Sequence, residues 1–77
     1  MKAYEEVVDF IASGTTPGSV ISFKPSESVK RRVTELIWRE KNNAITEEEK
    51  SELDNYLHLE HLLRLAKARA REYFVNE

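Results

Sequence analysis

Apolar residues recur along this chain at helical spacing. Tyr4, Val7, Val8 and Ile11 fall at i, i+3, i+4 and i+7, which predicts a helix over about 3–13 with those four residues turned inward. Gly14 stops it, because glycine takes the left-handed conformation at a helix end without steric cost. Thr16 then reads as an N-cap and Pro17 as a first helical residue, giving a short helix over about 17–22 that Gly18 and Ser19 weaken. Ser26 caps a third helix, over about 27–42, whose inner face is Val29, Val33, Leu36 and Ile37. Asn42 and Asn43 end it, since asparagine tolerates the left-handed turn.

The clearest local signal is Thr46-Glu47-Glu48-Glu49. Threonine followed three residues later by glutamate is a capping box, and three acids in the first turn favour the positive end of the helix dipole. No glycine or proline follows up to Phe74, so one long helix is predicted over about 47–74. Its last turns carry Arg64, Lys67, Arg69 and Arg71, the sign preferred at the other pole. The expected fold class is all-α: short N-terminal helices followed by an antiparallel helical hairpin with a long C-terminal helix, one domain spanning 1–77.

Length sharpens this picture. A 28-residue helix is about 42 Å long, whereas a compact globule of this size is roughly 30 Å across. The third helix should fold back along residues 47–62 after a short turn. Residues 63–74 are then left to be covered by the N-terminal helices or by another chain. The apolar seam of the long helix, Tyr56, Leu59, Leu63, Ala66, Ala70 and Tyr73, alternates steps of three and four. Leu53 and Leu57 widen the arc on one flank, and Leu62 and Leu65 widen it on the other. An arc that wide exceeds what a single neighbouring helix covers. The expectation is a homodimer in which this helix contributes much of the interface.

Composition narrows the class of function. With 77 residues and no cysteine, the chain has neither disulfides nor thiolate metal ligands to add stability. There is no apolar run of signal-peptide or membrane-span length, and the expected location is the cytoplasm. Charged residues make up 34% of the chain, yet the net charge is only −2. The signs are sorted: the acidic block 44–60 is followed by a basic block from 61 onward, and 24–43 is also basic. A weakly acidic total argues against a dedicated nucleic-acid binder.

Several constellations invite chemistry. Asp54, His58 and His61 lie at i, i+4 and i+7, one carboxylate and two imidazoles on one helical face, acceptable as metal ligands but too few alone. The plainer reading is a solvated or interface face, where histidines would make assembly pH-sensitive. No cofactor is expected. Glu60, Arg64, Lys67 and Arg71 form a neighbouring stripe. Lys67, Arg69 and Arg71, with the cluster Lys30, Arg31 and Arg32, would contact phosphates if the chain were a small nucleic-acid-associated regulator. Otherwise they are solvated charge complementing helix dipoles.

Trp38 projects away from the inner face of its helix, with Arg31 and Thr34 before it and Asn42 one turn on. An exposed tryptophan beside arginine is a typical energetic centre of a protein interface. Trp38 and Arg31, together with Leu57, Leu62 and Leu65, are therefore the candidate partner-binding residues. Against this, a small domain must bury its large aromatics, and the expected placement of Trp38 is in the core beneath the N-terminal helices. Ser26 and Thr46 read as caps rather than nucleophiles, and neither a Gly-x-Ser-x-Gly elbow nor a phosphate-binding glycine loop occurs. No enzymatic activity is expected.

The segments Phe10-Ile11-Ala12-Ser13-Gly14, Phe23-Lys24-Pro25-Ser26-Glu27, Ile45-Thr46-Glu47-Glu48-Glu49 and Glu52-Leu53-Asp54 form a series. They continue in Tyr56-Leu57, Leu59-Glu60-His61-Leu62 and Leu65-Ala66-Lys67-Ala68-Arg69-Ala70-Arg71. Together they resemble a family of short bacterial helical proteins to which no activity is assigned. The resemblance covers nearly the whole chain. It implies a small protein partner of the kind encoded beside endonuclease-like or toxin-like proteins, hence an antidote-like regulator. One departure stands out: the glycine usual before the capping threonine is absent, and Asn42-Asn43-Ala44 stands there instead.

Overall fold

The protein is described by a computed structural model covering residues 2–75. Four helices follow in order: α1 (Glu5–Ala12), α2 (Pro17–Ser22), α3 (Glu27–Lys41) and α4 (Glu47–Val75). No strand occurs among the described residues, and the fold is all-α, with a long C-terminal helix.

Local chemistry sets each boundary. Gly14 adopts φ +90°, in the left-handed region, directly after α1. The Thr16 hydroxyl accepts the Ser19 N–H (3.1 Å), and the Thr16 N–H donates to the Ser19 hydroxyl (2.8 Å). Ser19, expected to weaken α2, thus completes a reciprocal cap. Ser26 caps α3 by accepting the Val29 N–H at 3.3 Å. At the far end Asn43 sits at φ +56°, so asparagine meets the backbone need that glycine more often fills. The capping box of α4 forms as expected: the Thr46 hydroxyl accepts the Glu49 N–H, and the Glu49 carboxylate accepts the Thr46 N–H.

The order of the ion pairs gives the direction of α3. Arg32 meets Glu52 and Arg39 meets Glu49, so rising numbers in α3 meet falling numbers in α4, and the two form an antiparallel hairpin. The N-terminal segment covers the second half of α4. Val20 of α2 is buried with Leu63 and Ala70, and the Lys67 ammonium donates to the Phe23 carbonyl at 2.7 Å. The rings of Phe10 and Phe23 stack with centroids 4.3 Å apart, pinning α1 to the residue that follows α2. Val7, Val29, Leu36 and Leu53 are the largest fully buried side chains.

Three facings differ from the sequence expectation. On α1, Val7 is buried and Tyr4 partly so, but Val8 and Ile11 are exposed, while Ala3 and Phe10 turn inward instead. On α3, Val29 and Leu36 are buried and Val33 partly so, but Ile37 is exposed, because it lies about 100° round the helix from Leu36, at the edge of the covered face. On α4, Tyr56, Leu63 and Ala70 are buried and Leu59 partly so, whereas Ala66 and Tyr73 are exposed. The seam therefore closes over only part of its length.

The shape follows from α4. The radius of gyration is 14.3 Å and the principal extents are 48 × 21 × 19 Å, against about 11.5 Å for a compact chain of this length. A cross-section of 21 × 19 Å is two helices thick, each being roughly 10 Å in diameter. Helices α1 to α3 make one layer and α4 the other. No helix among the described residues is long and apolar enough to cross a membrane.

Candidate functional site

Helix α3 presents two faces. Val29 and Leu36 are wholly buried, and a step of two residues from Leu36 carries the chain about 200° round the helix, to Trp38. The indole is accordingly 61% exposed. The N-terminal helices do not wrap over it, contrary to the expected burial. Their apolar residues are taken up by the second half of α4 and by the junction with Val29, on the far side of α3 from Trp38. Neighbouring polar groups are satisfied locally: the Asn42 side-chain amide donates to the Trp38 carbonyl (2.8 Å), and the Thr34 hydroxyl donates to the Lys30 carbonyl (2.9 Å). Arg31, one heptad before Trp38, is exposed and makes no ion pair among the described residues. An apolar ring flanked by an uncommitted guanidinium thus faces water.

Helix α4 carries the other exposed apolar residues. Leu57, Leu62 and Leu65 all lie open, but not on one line. Leu65 lies opposite Tyr56, while Leu62 and Leu57 sit on the two flanks, about 140° apart. Asp54, His58 and His61 are exposed along the same outer side as Leu65. Among the described residues no group of three or more metal-ligating side chains converges, and these three do not form one.

The basic candidates separate. Arg32 is tied to Glu52 by two hydrogen bonds of 3.0 Å, and Lys67 is held by the Phe23 carbonyl, so neither is a free cation awaiting a phosphate. Lys30 lies 3.6 Å from Glu27, and Arg69 lies 3.6 Å from Glu72. Glu60 and Arg64, one turn apart in their stripe, pair at 2.8 Å on the surface.

Nothing in the sequence marks Glu52 as a site residue. It is 5% exposed, the one buried charged residue among those described. Its carboxylate accepts from the Arg32 guanidinium and from the Ala3 backbone N–H at 2.9 Å. One side chain therefore joins the turn before α1, the middle of α3 and the first turns of α4. The hydrogen bond from Arg32, aided by the Ala3 N–H and by Lys2, holds the Glu52 carboxyl below its usual range despite the opposing effect of burial. The same bond raises the Arg32 guanidinium. Beside it, Glu49 is also lowered, chiefly by its bond to the Thr46 N–H, and is paired with Arg39, which also binds Glu35. This arrangement is structural: among the described residues no buried side-chain nitrogen or oxygen lacks a hydrogen-bond partner.

A shallow groove of about 260 Å³ runs between α2 and α4, lined by Thr16, Pro17, Val20, Ala66, Ala70 and Tyr73 among others. It is open and mostly apolar, and smaller than the roughly 300–1,000 Å³ of pockets that enclose a small molecule. Comparison of the chain with protein-family models, with curated proteins and with solved structures gives no match.

Proposed function

We infer that this protein is a non-enzymatic binding module that engages another protein through the outer face of α3, with Trp38 as the anchor and Arg31 beside it. One observation carries the reading: the only tryptophan is 61% exposed on a helix whose opposite side buries Val29 and Leu36 completely. Tryptophan and arginine dominate the energetics of protein interfaces, because a flat ring seated in a dry pocket gives much contact for few lost rotamers. The partner would offer an apolar pocket with an acidic rim. An antidote-like regulator of a nuclease or toxin is the form of this role that the family resemblance implies. The absence of a catalytic assignment rests on chemistry: the Ser26 and Thr46 hydroxyls are both engaged as helix caps.

The test is affinity capture from the native host with the wild-type chain and with Trp38→Ala, followed by titration of the recovered protein. Capture should fail with the variant, and the emission of the single tryptophan should shift to the blue when the purified partner binds. Raising salt from about 50 to 200 mM should change the affinity only slightly, whereas contact with several phosphates would weaken it by orders of magnitude. Equal recovery by Trp38→Ala would remove this reading. A steep salt dependence with nucleic acid in the recovered fraction would favour the alternative, a nucleic-acid-associated regulator using Arg31 and Arg71.

A further inference from the structure

We propose that the bare side of α4 is a self-complementary seam through which two copies of this chain pair antiparallel about a two-fold axis. The surface is separate from Trp38. Helices α1 to α3 meet α4 through Glu52, Leu53, Tyr56, Leu63, Lys67 and Ala70, which lie on one side of it. The opposite side carries Asp54, His58, His61, Leu62, Leu65 and Arg69, all exposed. Steps of three and four link Asp54, His58, His61 and Leu65, and again Leu62, Leu65 and Arg69, the spacing of a helix–helix seam. Leu62 and Leu65 at its middle are 56% and 57% exposed.

Charge selects the occupant. The row is reversed in sign about its own midpoint, between His61 and Leu62. Asp54 stands at one end and Arg69 at the other, at equal separations from that point and about 22 Å apart along the axis. Asp54 makes no ion pair among the described residues, and Arg69 has only the loose 3.6 Å contact with Glu72, both side chains being some three-quarters exposed. A second copy laid antiparallel places Asp54 against Arg69 of that copy, and Arg69 against its Asp54. His58 then meets Leu65, and His61 meets Leu62. Each contact occurs twice, as a two-fold interface requires. A parallel copy would set Asp54 on Asp54 and Arg69 on Arg69, so the charges fix the direction as well as the partner. The wider asymmetry of α4 agrees, since its first half is strongly acidic and its second half basic. A four-turn strip with two leucines at its centre is at the small end of specific interfaces, so the pairing is a concentration-dependent equilibrium.

Sedimentation equilibrium from about 5 to 500 µM at low salt tests this on the full chain, because charge-steered contacts are strongest there. The wild type should pass from monomer to dimer mass. Asp54→Arg and Arg69→Asp each replace two attractions with two repulsions, and each should raise the dimerisation midpoint at least about tenfold. Mixing the two variants, or combining both changes in one chain, should restore it to within about threefold, because opposite charges again face each other. Both positions are exposed, and circular dichroism will confirm that the variants remain folded. Leu65→Glu should abolish the dimer. A wild type that stays monomeric throughout, or single reversals that dimerise normally, would overturn the seam. Trp38→Ala should leave the dimerisation midpoint unchanged, and the Asp54→Arg monomer should still capture the α3 partner. The two surfaces therefore fail or succeed separately.

Discussion

Burying a tryptophan removes on the order of 200 Å² from water, worth several kcal/mol at about 25 cal/mol per Å². A 77-residue chain that leaves its only indole outside forgoes a large share of a total stability of roughly 4–11 kcal/mol. The position of Trp38 therefore has a direct thermodynamic consequence. Trp38→Ala should change stability by no more than about 0.5 kcal/mol, as for other surface sites, or by less than about 4 °C in Tm. A core tryptophan would cost about 3–5 kcal/mol, and a loss of that size in thermal denaturation would show that the ring is covered in solution. Asn43, at φ +56°, responds in the opposite sense to side-chain size. Asn43→Gly should leave Tm nearly unchanged, because easier backbone geometry offsets the extra freedom of the unfolded chain. Asn43→Val should lose about 1–2 kcal/mol, and equal Tm values for the two variants would contradict a left-handed residue there.

At the scale of elements, α4 begins at a capping box whose two hydrogen bonds are both made. Thr46→Ala removes one of them and should cost about 1 kcal/mol, seen as a drop of roughly 4–8 °C in Tm. An unchanged Tm would mean that the first turn of α4 contributes nothing to the folded state. All four helices were legible in the sequence because their boundaries rest on local chemistry: Gly14, Thr16 with Pro17, Ser26, Asn43 and Thr46 act within their own turns. Facing was less legible. The apolar arc of α1 includes Val8 and Ile11 as well as Val7, and periodicity cannot say which edge of a broad arc the neighbouring helices will cover. Phe10, off that arc, is drawn inward by Phe23, thirteen residues away. Trp38 is legible as a candidate anchor, but the expected burial is wrong, because exposure depends on where α1 and α2 dock, a long-range question. Glu52 carried no signal at all, since in the sequence it is one more acid in an acidic block.

At the scale of the whole molecule, α4 is the longest element, at 29 residues, and at Glu52 it is joined in one polar cluster by Arg32 of α3 and by Ala3, just before α1. Hydrophobic contact alone leaves the start of α1 free to slide. The bond from the Ala3 N–H to a buried carboxylate fixes its register against both α3 and α4. The cluster also gives the fold a dependence on pH with a definite sign. The Glu52 carboxyl is lowered in the folded state, and an unfolded glutamate titrates near about 4.3. The folded chain therefore binds this proton less readily than the unfolded one. The resulting stability is fully present above that unfolded value and is lost as pH falls below it through the depressed folded value. Glu52→Gln keeps an acceptor for the Ala3 N–H but removes the charge that Arg32 faces. Because the guanidinium is about a third exposed (31% for the side chain) and can turn to water, the loss at pH 7 should be about 2 kcal/mol, or roughly 10 °C in Tm. It should fall short of the full cost of breaking a buried pair. Glu49 is lowered as well, yet it is present in both proteins, so its contribution cancels in the difference between them. Thermal denaturation of wild type and variant from pH 7 down to about pH 3 should show the gap narrowing below about pH 4.3. A gap of constant size across that range would show that the Glu52 carboxylate titrates alike in the folded and unfolded chains, and that the junction of α1, α3 and α4 is held by packing alone.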